Sequence, residues 1–383
     1  MRPPSLVSGR GNSAFHNTVL AVHRAYRSHA INPQKRAFSD TPNPSHKIIF
    51  SGIQPTGVPH LGNYLGALRQ WVKLQSEADP GTTLIYSLVD LHAITVRQDP
   101  KQLRQWKKES LAMLLAIGLD PKRSIIFHQG DVAAHAELMW LLSCQASTGY
   151  LSRMTQWKDK TSGEGDKNEK PKLGLFSYPV LMAADVLLHR TTHVPVGHDQ
   201  AQHLEFAREV ANGFNHTYGK EVLVPPETLI SPAKRVMSLT DPSVKMSKSH
   251  RNPRSRILLT DSEDVIKAKV KTAVTDSISG ITYEPEQRPG VSNLLDILYH
   301  TVDDPTITSQ EDLVQQLRGC SMSTLKERVA DAINKAIEPV RERYNDLVQD
   351  KAKLEAVAAE GAERAASNAV KTMGKVRRTI GLS

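Results

Sequence analysis

Short apolar runs alternate with helical stretches from residue 47 to residue 144, and that alternation leaves few architectures open. Lys47-Ile48-Ile49-Phe50 reads as a buried strand running into a turn-rich loop at 51–57. A helix is expected from about Leu61 to Ser76, with Leu61, Leu65, Leu68 and Val72 at helical spacing. Residues 83–89 and 124–128 read as further strands, and 101–117 and 133–144 as helices, the first closed by Gly118. Strands joined by helices of this length imply a parallel, doubly wound sheet. A polar, Gly/Lys-rich loop follows at 158–172, and a further α/β stretch reaches about residue 235. Beyond residue 262 the pattern is helical, with Val329, Ile333, Ile337, Val340, Tyr344 and Leu347 on one stripe that Pro339 is expected to kink or break. The Ala-rich, mixed-charge stretch from Lys353 predicts a surface helix. The expected class is α/β: a doubly wound, Rossmann-like parallel-sheet domain over residues 45–261, then an all-helical domain over 262–383.

The chain of 383 residues suits two such domains, at roughly 100–200 residues each. No run approaches the ~18 apolar residues of a membrane helix, so no membrane partner is expected. The two cysteines, Cys144 and Cys320, lie far apart with no CxxC pair, which argues against a disulfide framework and fits a reducing compartment. The net charge of +9 is concentrated: residues 1–39 hold Arg2, Arg10, Arg24, Arg27, Lys35 and Arg36 and no acid. That leaves 43 of the 49 basic residues against 40 acidic ones, so the remainder neither demands nor excludes an RNA partner. An Arg- and Ser-rich leader without acids, taken as residues 1–44, has the composition of a mitochondrial import sequence, and the matrix is the expected location.

Two short motifs carry chemistry. In Pro59-His60-Leu61-Gly62-Asn63, at the start of a helix that follows a strand, Gly57 and Gly62 would let backbone approach a phosphate, and the helix start favours an anion. His60 and Asn63 could each donate a hydrogen bond to charge building on a phosphoryl group. In the loop 244–249, VKMSKS, Lys245 and Lys248 are compact charges on flexible stems, suited to following a phosphate as it leaves.

Both motifs in this order, with the α/β pattern between them, resemble the two signatures of class I aminoacyl-tRNA synthetases, PHLGN standing at the HIGH position and KMSKS intact. The stretches IFSGIQPTGVPHLGNYLGALRQW, VDLHAITVRQDP, MTQWKDK, YPVLMAADVLL, VPVGHDQAQH, VMSLTDPSVKMSKS, AVTDS and PGVSNLL resemble the tryptophanyl-tRNA synthetase family of the bacterial and organellar type. The resemblance implies ATP-dependent formation of tryptophanyl-adenylate and transfer to tRNA(Trp), with ATP and Mg²⁺ as co-substrate and metal, no dedicated metal-binding residues, and a homodimer. It makes Asp185 the acceptor for the indole N–H, Phe50, Met182, Val194 and Val196 the ring walls, and Gln54, His92, Tyr178 and Gln200 the surround of the ammonium and carboxylate, with Gly52 beside them. It gives His60, Asn63, Lys245, Lys248 and Lys160 (or Lys158) the phosphates. Gln54, Gly62, Gly197, Asp199, Val236, Met246 and Ser247 complete the ATP site. Indole has one donor and no acceptor, so a pocket for it needs apolar walls and one buried acceptor. Asp185 sits inside the apolar run LMAADVLL, where a carboxylate needs a buried reason.

His198 departs from the family pattern, which has an acid there, and leaves Asp199 to carry that contact. Among the basic residues of the helical region, Arg318, Arg328, Arg341, Arg343, Arg377 and Arg378 are candidates for anticodon contacts. His189, His193 and His216 have no ligand-like spacing and receive no role. A tyrosine-specific enzyme would share fold and signatures, but the donor-only requirement at Asp185 favours indole. A small nucleotidyltransferase would lack KMSKS, and a non-catalytic RNA helper would not need intact His60, Lys245, Lys248 and Asp185.

Overall fold

A computed structural model describes residues 46–155, 157–158, 172–197, 200–230, 235–248, 250–302 and 304–383. The leader, Lys160, His198 and Asp199 therefore lie outside the described residues.

Five parallel strands form one sheet: β1 (Ile48–Ile53), β2 (Thr83–Leu88), β3 (Ile125–His128), β4 (His193–Val196) and β5 (Glu227–Ile230), in the order β3-β2-β1-β4-β5. Successive side chains on a strand face opposite ways, and the sequence supplies apolar groups for both faces. Ile49, Leu84, Tyr86 and Ile126 enter one apolar cluster, while Phe50, Ile85, Ile125, Phe127 and Val194 enter the other. The near-continuous apolar runs are thus explained by a sheet covered on both sides, as expected for a doubly wound fold.

The first helix, α1, runs through Leu61–Asn63, a π-helical segment Tyr64–Leu68, and Arg69–Glu77. It is followed along the chain by α2 (Asp90–Ala93), α3 (Pro100–Ala116), α4 (Ala134–Ser143), α5 (Thr148–Arg153), α6 (Leu173–Leu188) and α7 (Ala201–Tyr218). Helices α8 (Glu263–Lys271), α9 (Pro289–Thr301), α10 (Gln310–Gln316), α11 (Met322–Gln349) and α12 (Lys351–Ile380) complete the chain, so everything after residue 262 that has regular structure is helical.

Two expectations are narrowed. Of a kink or a break at Pro339, the break does not occur: α11 is continuous from Met322 to Gln349. Proline removes one backbone hydrogen bond, but Ile333, Ile337 and Val340 around it are buried, and that packing holds the helix together. The Ala-rich helix is not merely superficial either. In α12, Gly361, Ala365, Ala369, Met373 and Val376 are buried, because the helix lies against the edge strand β3. A Cβ on Gly361 would come within 1.8 Å of the Ile126 carbonyl oxygen, so the small residues exist to let helix backbone meet strand backbone. Arg364 donates to the carbonyls of Pro121 and Ser124, and Arg377 pairs with Glu137 of α4.

Candidate functional site

Where strand order reverses, between β1 and β4, a crevice opens at the carboxyl ends of the strands, the usual ligand position in such sheets. It holds a cavity of about 340 Å³, within the range of small-molecule sites. β1 and the residue after it contribute Phe50, Gly52 and Gln54; β4 contributes Val194 and Val196; α6 contributes Tyr178, Met182 and Asp185; α2 gives His92, and Gln200 stands just before α7. Every residue expected around the amino acid thus lines one cavity.

Asp185 is the polar centre of this cavity, only 2% exposed. Burial alone would raise its pKa, yet hydrogen bonds from His135 and His92 outweigh that and pull the carboxyl down to about 2. His92 Nε2 lies 2.9 Å from Oδ2, His135 Nδ1 lies 2.7 Å from Oδ1, and Gln129 Nε2 donates to Oδ1 at 2.6 Å. The side chain is an ionised acceptor at neutral pH. Tyr178 meets His92 edge-on, bonds His203 Nε2 at 2.9 Å through its hydroxyl, and is kept neutral by burial, which raises it to about 12.

The second constellation forms where α1 begins. His60 caps the helix: its backbone N–H donates to Asn63 Oδ1 at 3.1 Å, and Asn63 N–H donates to His60 Nδ1 at 3.2 Å. Burial first, then Lys248, Lys245 and Arg256, lower the imidazole to about 3, so it is neutral. With Nδ1 occupied as an acceptor, the proton sits on Nε2, and Asn63 keeps its amide N–H₂; both are donors without charge. Gly62 has a further use beside the one expected. A Cβ there would stand 3.0 Å from His60 Nδ1, so its bare Cα makes room for the imidazole as well as exposing backbone.

Lys248 crosses 191 positions of sequence to donate to the Gly57 carbonyl at 2.8 Å. Gly57 has φ +103, a backbone conformation that side chains rarely adopt. Burial lowers the Lys248 ammonium to about 8. Its loop is fixed at one end by Met246 N–H bonding the Val236 carbonyl at 3.0 Å, with Val236 itself 3.5 Å from the Cβ position of Gly62. Lys245 is exposed and close enough for its charge to act on His60, Ser247 lies between the two lysines, and Gly197 is exposed at the end of β4. The two sequence motifs therefore share one neighbourhood. Around His60 the charged groups are Lys245, Lys248 and Arg256, none able to ligate a hard divalent cation, and among the described residues no cluster of three His, Cys, Asp or Glu could hold a metal.

Sequence reasoning missed His135, His189 and Gln129, which meet only when α4, α6 and the end of β3 pack together. A histidine inside the apolar helix segment AHAELMWLL was the available signal. Of the six candidate arginines, three are tied to protein groups: Arg341 bonds the Asp261 carbonyl, Arg343, itself exposed, the Ala116 carbonyl, and Arg377 Glu137. Arg318, Arg328 and Arg378 are exposed. No helix among the described residues is long and apolar enough to cross a membrane.

The family described as tRNA synthetases class I (W and Y) matches residues 43–338. The mitochondrial tryptophan--tRNA ligase of Schizosaccharomyces pombe is 44% identical over 351 residues, spanning 88% of this chain and 96% of its own length. That of Corynebacterium glutamicum is 46% identical over 334 residues, spanning 87% and 94%. Among solved structures, tryptophanyl-tRNA synthetase from Mycoplasma pneumoniae aligns with a TM-score of 0.78 at 32% identity, covering 88% of this chain and 98% of its own. The enzyme from Campylobacter jejuni complexed with ADP and tryptophan aligns with a TM-score of 0.73 at 33% identity, covering 88% and 100%. Likeness of this extent and depth means that the chain belongs to the class I tRNA synthetases of the tryptophan and tyrosine group, within the tryptophan--tRNA ligase family.

Proposed function

We propose that this protein activates L-tryptophan with ATP and passes the tryptophanyl group to tRNA(Trp) in the mitochondrial matrix. The observation that carries the reading is Asp185, an ionised, buried acceptor in a cavity of small-molecule size that has the apolar side chains of Phe50, Met182, Val194 and Val196 in its lining. Phe50, Met182, Val194 and Val196 face the indole, and Asp185 accepts its single N–H. Gln54, His92, Tyr178 and Gln200 surround the amino and carboxylate groups, with Gly52 leaving them space. A charged hydrogen bond of this kind contributes roughly 1.5–3 kcal/mol, and a phenylalanine ring would leave the remaining acceptor direction of the carboxylate unpaired.

In the first step the tryptophan carboxylate attacks the α-phosphorus of ATP and pyrophosphate leaves; in the second the acyl group moves to the terminal ribose of the tRNA. The protein supplies position and charge rather than a nucleophile. His60 Nε2–H and the Asn63 amide donate to phosphate oxygens, and Lys245 and Lys248 follow the departing pyrophosphate, assisted by Lys160. Gly62, Gly197, Asp199, Val236, Met246 and Ser247 hold the nucleotide. Mg²⁺, if bound, would be held mainly by ATP phosphate oxygens and would offset their charge, since the charged groups around His60 are cationic. Residues 45–261 form the catalytic part and 262–383 the helical part that meets the anticodon, in a homodimer. What supports the matrix location is the leader composition and the S. pombe relative.

The deciding measurement is exchange of labelled pyrophosphate into ATP with each of the twenty amino acids. Exchange with tryptophan alone is expected; exchange with tyrosine, or with none, overturns the reading. For location, residues 1–44 fused to a fluorescent reporter should carry it into mitochondria, and a diffuse reporter would remove that part.

A further inference from the structure

Asp185 is held by more than the wall of its own cavity. A carboxylate can only accept, so His92, His135 and Gln129 all donate to it. Behind His135, His189 Nε2 stands 3.3 Å from His135 Nε2; both rings are fully buried, His189 against Phe50 and Phe127 and His135 against Phe127. One set of tautomers satisfies the whole chain: His189 carries its proton on Nε2 and donates to His135, which carries its own on Nδ1 and donates to Asp185. Burial and the neighbouring His135 keep His189 neutral. Its Nδ1 has no partner among the described residues, which suits a bare lone pair and not an N–H.

Each carboxylate oxygen offers two acceptor directions. Oδ1 is filled by His135 and Gln129; Oδ2 receives His92 and keeps one direction open. Asp185 and His92 line the cavity, whereas His135, His189 and Gln129 do not; the hydrogen bonds of His135 and His189 lead to a ligand through Asp185, while Gln129 also holds the Leu91 N–H beside His92.

We propose that His135, backed by His189 and joined by Gln129, is a positioning residue for amino-acid selectivity: it saturates one oxygen of Asp185 and turns the single remaining acceptor toward the ring N–H of the substrate. The proposal rests on the tryptophan reading above and deepens it. A merely structural role would alter stability and both substrates alike, whereas a positioning role affects the recognition of one hydrogen.

The test uses pyrophosphate exchange by the full chain with tryptophan and with benzothienylalanine, which carries sulfur where indole carries N–H. In His135→Leu and His189→Leu the tryptophan KM should rise by about 10–100-fold, the loss of one charged hydrogen bond. The KM for ATP should stay near that of the original, and the preference for tryptophan over the sulfur analogue should shrink correspondingly. His135→Asn places an amide N–H at the Nδ1 position, and His189→Gln places one at the Nε2 position; each should restore the preference. Should His135→Leu fail to fold, the His189→Leu and His189→Gln pair decides alone. An analogue preference unchanged in a folded leucine variant, or equal losses for both amino acids, overturns the proposal. Absence of tryptophan exchange in the unsubstituted chain is a separate result and withdraws the reading beneath it as well.

Discussion

Burial and three neighbouring cations hold His60 near pKa 3, desolvation being the larger cause, so this imidazole stays neutral across the physiological range. It cannot supply an acid limb to activity between pH 5 and 8; it is a fixed N–H dipole. Lys248 is the group that titrates. Burial lowers it from 10.5 to about 8, and in the proposed function its protonated form would serve a leaving pyrophosphate. As pH rises through about 8 the free enzyme loses that charge, so kcat/KM for ATP should fall on the alkaline side. Lys248→Arg keeps the charge and should move that limb upward by at least a unit, whatever it costs in rate; an identical limb in both proteins would assign it elsewhere. At this scale the sequence was readable where a residue contradicts its neighbours. Asp185 stands out as an acid in LMAADVLL, and His60 as an imidazole beside glycines. His135 also stands out in AHAELMWLL, but its partner, like that of Gln129, could not be read, since the contacts lie 50 and 56 positions away.

Helices illustrate the same limit differently. The spacing of Leu61, Leu65, Leu68 and Val72 foretold α1, but not its π-helical segment, because one extra residue in a turn leaves apolar spacing nearly unchanged. In α12 an Ala-rich pattern looked superficial because small side chains give little amphipathic contrast, yet Gly361, Ala365 and Ala369 recur every four residues on the face that meets β3. Gly361→Val should therefore lower stability by about 3 kcal/mol or more, since the clash is with backbone that cannot move aside. Gly213→Ala, at a helical position with nothing within 4 Å, should instead raise it by roughly 0.5–1 kcal/mol. Thermal unfolding of both variants checks the contrast, and comparable melting temperatures would contradict the close approach.

Across the whole molecule, sheet class followed directly from the apolar runs, and strand reversal between β1 and β4 explains why one cavity collects residues numbered from 50 to 200. Sequence periodicity could not say which arginines the fold consumes. Arg318, Arg328 and Arg378 are exposed and so available to a polyanion, as is Arg343 in part, although it also bonds the Ala116 carbonyl. Arg328→Gln is expected to reduce the slope of log affinity against log salt for tRNA by about 1, with adenylate formation unaltered; an unchanged slope would move the RNA face elsewhere.

The embrace of β3 by α12 also has a temporal side. Arg364 meets Ser124 across 240 positions, so during synthesis the strand emerges long before the helix that shields it, and its unpaired rim must wait, open to pairing with other chains. Chaperone dependence of the newborn protein should accordingly end only when residues 351–380 have emerged and docked.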